Sequence, residues 1–134
     1  MKVFVDSNIP MYVAGREHPN RAPARRFMEK VRQGDIEAHT STEVLQEILY
    51  RYASMKRLDL AAQVYDLFVQ ICPVVLPVTL ADMDRAKVLV CGKAAAPPRD
   101  ALHAAVMVNN GVKAIATFDD DFDRIPGIAR YDLS

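Results

Sequence analysis

The chain is expected to fold as an α/β domain with a mostly parallel central sheet. Three observations point there. Short β-rich apolar runs alternate with longer segments of helical periodicity. The runs Lys2–Val5 (KVFV) and Ala114–Phe118 (AIATF) suit strands buried on both faces. Both runs end in acid, the first at Asp6 and the second at Asp119-Asp120-Asp121. In open α/β sheets the carboxyl ends of the strands form the edge where ligands bind.

The elements follow in order. After the first strand, Ile9–Val13 fits a helical turn and Ala22–Val31 a second helix. Arg21, Arg25, Arg26, Lys30 and Arg32 make that region's surface basic. Ile36–Thr40 reads as a short strand. A helix opens near Ser41 or Thr42, with Val44, Leu45, Ile48, Leu49, Tyr52 and Met55 forming its apolar stripe. Asp59–Ile71 repeats the pattern through Leu60, Val64, Leu67, Phe68 and Ile71, so the two helices are expected to form a hairpin. Val74–Val78 is β-like despite its proline. Thr79 and Asp82 resemble a capping box opening a helix to about Val90. Pro97-Pro98 precede a helix from Arg99 to Asn109, apolar almost all round, with Ala101, Ala104 and Ala105 permitting close packing. Asn110-Gly111 end it before the AIATF strand.

Composition bounds the function. At 134 residues the chain suits a single domain, residues 1–134, with a sizeable core. It is 51% hydrophobic and 25% charged, with zero formal net charge, so bulk electrostatics select no partner. Nucleic-acid binding would need a local patch. Cys72 and Cys91 are too few and too isolated for a disulfide framework or a thiolate metal site. Reduced thiols, no signal-peptide core and no long apolar run lead to the expectation of a soluble cytoplasmic protein without a membrane partner.

The acids carry the chemistry. Asp6 and Asp119 stand at strand ends, and Asp100 lies in the first turn of a buried helix, where the dipole favours a carboxylate. The helix after Ser41 offers Glu43 and Glu47. At 100° per residue Glu43 falls opposite the apolar stripe, while Glu47 falls on its flank and can reach a cleft. Two like charges about 4 Å apart repel by about 4 kcal/mol at an effective dielectric near 20. A divalent cation removes that conflict, and all-oxygen ligands suit Mg²⁺ or Mn²⁺ rather than Zn²⁺. Metal-dependent phosphodiester hydrolysis is the reaction such a set serves best.

Taken in order, these segments resemble the PIN domain family. VFVDSN resembles its first-strand signature, and STEVLQEILYRY its helix with the second acid, Glu47. RDALHAAVM resembles the helix supplying Asp100, and ATFDDDF the segment with Thr117, Asp119 and Asp121. The resemblance covers nearly the whole chain. It implies a three-layer α/β/α fold and a Mg²⁺- or Mn²⁺-dependent ribonuclease. It also implies a VapC-type toxin with a cognate antitoxin, and a homodimer. Carried over by position, Asp6 and Asp100 are the expected direct metal ligands. Glu47 and Asp119 complete the quartet, through water or to a second metal, and Asp121 is auxiliary. Ser7, Asn8 and Thr117 would hold carboxylates or water by hydrogen bonds. Three consecutive aspartates leave the fourth acid open: Asp120 is either a solvated bystander or the one turned inward.

Plainer readings stand beside these. Asp6 alone fits a turn residue or helix cap. Glu47 alone fits a surface residue paired with Arg51 at i+4. Asp100 alone fits a helix-terminal acid, and Asp119–Asp121 an acidic loop. His103, one turn after Asp100, reads as a packed core histidine ahead of a metal ligand. Arg99 fits a phosphate contact or a surface ion pair equally, and Arg21, Arg25 and Arg26 a solvated face ahead of an RNA contact. A PIN-like binding module that does not cut is the alternative function. A haloacid-dehalogenase-type phosphatase is disfavoured, because Asn8 stands where its second aspartate belongs and Lys113 precedes its strand.

Overall fold

The computed structural model describes residues 1–134. Its centre is a five-stranded sheet of β1 (Lys2–Val5), β2 (Glu37–Ser41), β3 (Val74–Leu76), β4 (Ala114–Ala116) and β5 (Ala129–Arg130), ordered β3-β2-β1-β4-β5. Every pairing is parallel. Val3, Phe4 and Val5 are all fully buried. Successive strand residues point to opposite faces, so both faces of β1 are covered. Six helices supply the cover: α1 (Asn8–Ala14), α2 (Arg21–Arg32), α3 (Thr42–Ser54), α4 (Leu58–Ile71), α5 (Leu80–Cys91) and α6 (Pro98–Asn109). The result is the expected α/β/α arrangement, with a wholly parallel sheet.

The chain runs outward from β1 to β2 and β3, then returns to β1's other side for β4 and β5. The order therefore reverses between β1 and β4, and a crevice opens at their carboxyl ends. Phe4 pairs with Ile115 and Val5 with Ala116, so Asp6 and Thr117 leave the sheet side by side. That register brings the two acid-bearing segments together.

Local chemistry explains most boundaries. Ser41 caps α3, accepting from the Val44 amide. Thr79 and Asp82 form the expected capping box on α5. Asp82 also accepts from Asn109 Nδ2 at 2.8 Å, tying α5 to α6. The α6 small residues Ala101, Ala104 and Ala105 are fully buried, as close packing requires.

Three expectations need correction. The Ala114–Phe118 strand ends at Ala116, because Thr117 turns its hydroxyl toward Asp6 and the chain leaves the ladder there. Val74–Val78 shortens to Val74–Leu76, stopping at Pro77, which has no N–H for the ladder. A fifth strand, β5, was not anticipated; two exposed residues carry no hydrophobic pattern.

Candidate active site

The crevice at the β1–β4 reversal is a cleft of about 470 Å³. Asp6, Ser7, Asn8, Glu47, Asp100, Asp119 and Asp121 line it, with Arg51, Pro97, Pro98, Arg99 and His103. Asp6 arrives from β1, Glu47 from α3 and Asp100 from the first turn of α6. Asp119 and Asp121 come from the segment after β4, where Asp120–Arg124 form a 3-10 turn. Glu43 is absent from the lining, as its helical angle requires. Asp120 is also absent and exposed, because neighbours in a 3-10 turn cannot share one face. The inward acids of the triplet are Asp119 and Asp121.

Thr117 organises one side. Its hydroxyl donates to Asp6 Oδ2 at 2.8 Å and accepts from Asn8 Nδ2 at 3.0 Å and from the Asp119 amide at 3.1 Å. Asp6 Oδ1 accepts from the Ser7 amide at 2.7 Å, and Asp119 Oδ1 from the Asp121 amide at 2.9 Å. Ser7 Oγ reaches across to Glu47 Oε2 at 3.2 Å.

Glu47 is buried and held from three directions. Besides Ser7, Arg99 Nη1 donates to Oε2 at 3.1 Å, and His103 Nε2 lies 2.5 Å from Oε1. The i+4 pair with Arg51 does not form; Arg99, far along the chain, takes that place. His103 is buried as a core histidine would be, near the rings of Phe4 and Phe122. It is nonetheless part of the cleft, and its Nε2 stands 3.9 Å from Asp6 Oδ1. The spacing from Asp100 was the available signal for it; the Glu47 partner is tertiary and invisible to local pattern.

The carboxylates separate electrostatically. Burial works to raise Glu47, but the hydrogen bonds and charges of His103, then Arg99, outweigh it and hold the carboxyl below its usual range. Burial likewise opposes the His103 charge, and Glu47, Asp6 and Asp100 overcome it, raising the imidazole pKa. Asp6 is raised by burial, with His103 and Thr117 acting against the rise. Asp100 is pushed up to about 6, first by burial, then by the charges of Asp119 and Asp6; His103 offsets this in part.

Two groups of metal-competent atoms result. Asp6, Glu47 and His103 form one, and Asp100, Asp119 and Asp121 the other, each with one ligand atom per residue within 4.8 Å of the rest. The first is supplied with donors by the protein. The second consists of crowded carboxylate oxygens alone, and the charges of Asp119 and Asp6 add to burial in raising Asp100. An all-oxygen, electrostatically frustrated set fits a hard divalent cation.

Comparison with known proteins decides the family. The PIN domain profile matches residues 3–128. This chain belongs to the PIN domain family. Within it, the chain sits with the VapC ribonucleases: Ribonuclease VapC13 of Mycobacterium tuberculosis is 38% identical over 128 residues, 96% of this chain and 98% of that protein. The PIN fold is also seen in solved structures. The crystal structure of Mycobacterium tuberculosis VapC20, a sarcin-ricin loop cleaving toxin, superposes with a TM-score of 0.74 at 19% identity, covering 94% of this chain and 96% of that one. VapBC2 from Rickettsia felis, bound to a DNA fragment from its promoter, gives 0.71 at 16% identity, covering 98% and 100%. The six helices and the parallel sheet are thus those of a PIN domain.

Proposed function

We propose that this PIN domain is a divalent-metal-dependent endoribonuclease and the toxin of a VapBC-type pair. The observation that carries the reading is the convergence of Asp100, Asp119 and Asp121 beside Asp6 at the sheet's switch point. Asp100, Asp119 and Asp121 would hold the ion, with Asp6 adjoining, and Mg²⁺ or Mn²⁺ suits that oxygen set. When bound, such an ion supplies an activated water and neutralises charge on a phosphate oxygen.

The chain's own residues do the rest. Thr117 and the Ser7 amide fix the two oxygens of Asp6, and the Asp121 amide fixes Asp119. Asn8 braces Thr117. Glu47 is a clamped carboxylate, oriented by Ser7, Arg99 and His103, and serves as a proton acceptor or outer anchor at the cleft wall. The polar lining admits a ribose-phosphate chain and offers no pocket for an apolar ligand.

The partners follow from the same reading: RNA as substrate, a cognate antitoxin as inhibitor, and a second copy of the chain. Exposed Leu80, Met83 and Val88 on α5 supply apolar surface for such contacts. The proposed compartment is the cytoplasm. No helix is long and apolar enough to cross a membrane.

The test is cleavage of total cellular RNA by the purified chain with Mg²⁺ or Mn²⁺. Cutting should stop with chelator and in Asp100→Asn. Wild-type-rate cutting by Asp100→Asn would sink the assignment. A calorimetric titration showing no Mn²⁺ binding would favour a PIN-like module that binds without cutting.

A further inference from the structure

Two arginines line the acidic cleft, on its α3 and α6 side, and their situations differ. Arg99 spends one nitrogen on Glu47 and leaves half its side chain exposed. Arg51 follows Glu47 by one helical turn, so helix geometry would pair them. Glu47 is already occupied by Ser7, Arg99 and His103, and Arg51 is left exposed at the cleft mouth outside any ion pair. The same cleft carries Asp100, Asp119 and Asp121. The cleft therefore sets one free guanidinium, and the open half of another, beside crowded carboxylates.

We propose that Arg51, with the free face of Arg99 beside it, forms a binding site for an RNA backbone phosphodiester adjoining the one that is cut. The inference rests on the ribonuclease reading and deepens it. The chain's net charge is zero, so no bulk field draws a polyanion toward five carboxylates. A local pair of cations must do so. Guanidinium presents five donors in a planar fork that matches phosphate oxygens. Arg51 has all of them available. An acidic protein segment is the competing ligand for the same cations. The cleft disfavours it: none of its 12 lining residues is hydrophobic, so a protein segment finds no apolar core for an interface there.

The experiment is fluorescence anisotropy of labelled oligouridylate with the full chain, in an Asp6→Asn background with Mn²⁺, across a salt series. Arg51→Gln should weaken binding about tenfold and lower the salt-dependence slope by about 0.7, the release expected for one single-strand phosphate contact. Arg51→Lys should keep the slope and recover part of the affinity, since it restores the charge without the fork. Lys113→Gln removes the same charge just before β4, at the opposite edge of the sheet, and should change neither value. Arg51→Gln binding like its background at every salt concentration overturns the proposal and leaves the ribonuclease reading standing. Polyglutamate displacing the RNA at equal charge would assign Arg51 to a protein carboxylate and also overturn it. No RNA binding by the background protein overturns both readings together.

Discussion

The two carboxylate groups of the cleft lie side by side and are built on opposite principles. Asp6 and Glu47 are deeply buried, and each oxygen meets a donor from Ser7, Thr117, Arg99 or His103. Asp119 and Asp121 are half-open, and Asp100 is raised first by burial and then by the charges of Asp119 and Asp6. In the first group the protein completes its own electrostatics. In the second it leaves charge uncompensated where solvent and ions can reach. Buried charges need paired donors to be tolerated, and the first group has them within the protein. The second keeps its oxygens available for a cation.

Removing a member of each group should have opposite consequences. Asp100→Asn should lower RNA cleavage by about a hundredfold or more, since the ion loses a ligand. The same substitution should raise the melting temperature of the metal-free protein, because it removes a charge disfavoured by burial and by its acidic neighbours. A lower metal-free melting temperature would break the distinction. His103→Ala strips a buried partner from Glu47, and should destabilise the fold by about 3 kcal/mol in denaturant titration. A cost below about 1 kcal/mol would show that Glu47 does not depend on it.

Thr117 bridges the two groups, touching Asp6 and the Asp119 backbone. Thr117→Val keeps the shape and deletes the hydroxyl. Cleavage should fall about tenfold, with Thr117→Ser restoring most of it, as for other residues that orient ligands.

The smallest effect is in pH. Asp100 has its folded pKa at about 6, above its unfolded value, so the folded state holds the proton more tightly. Its contribution to metal-free stability is therefore largest at low pH and is lost as pH rises through 6. Glu47, with a depressed pKa, contributes in the other direction: its stabilisation is present at neutral pH and lost as pH falls through its folded value. Protons compete with metal at Asp100, so Mn²⁺ affinity measured by calorimetry should decline as pH falls below about 6. A flat affinity across that range would remove Asp100 from the ion's ligands.

Much of this contrast was legible in the sequence because its residues sit on regular elements. Asp6 follows a strand with no polar interruption, and Glu47 lies at a computable angle from an apolar stripe. Asp100 opens a helix announced by two prolines. The fold class followed from the same periodicities. What escaped was tertiary or very short. No local rule shows that Glu47 prefers Arg99 to Arg51, since the competing partner is distant in the chain. The choice among Asp119, Asp120 and Asp121 required the 3-10 turn, whose rotation per residue sends Asp120 outward. β5 rests on backbone pairing with β4 and has no buried side chain to advertise it.

The bond between Asp6 and Thr117 joins positions 111 residues apart. During synthesis, Asp6 emerges near the beginning and waits while α1 to α6 are made. Until β4 arrives, β1 lacks its second neighbour, and the acids after β4 do not yet exist. Domains made on the ribosome begin folding from the N-terminal side, and non-local parallel pairings form slowly. The cleft therefore cannot assemble on a half-made chain. Until nearly all of its length has been translated, a growing chain of this topology lacks the acids that complete the cleft.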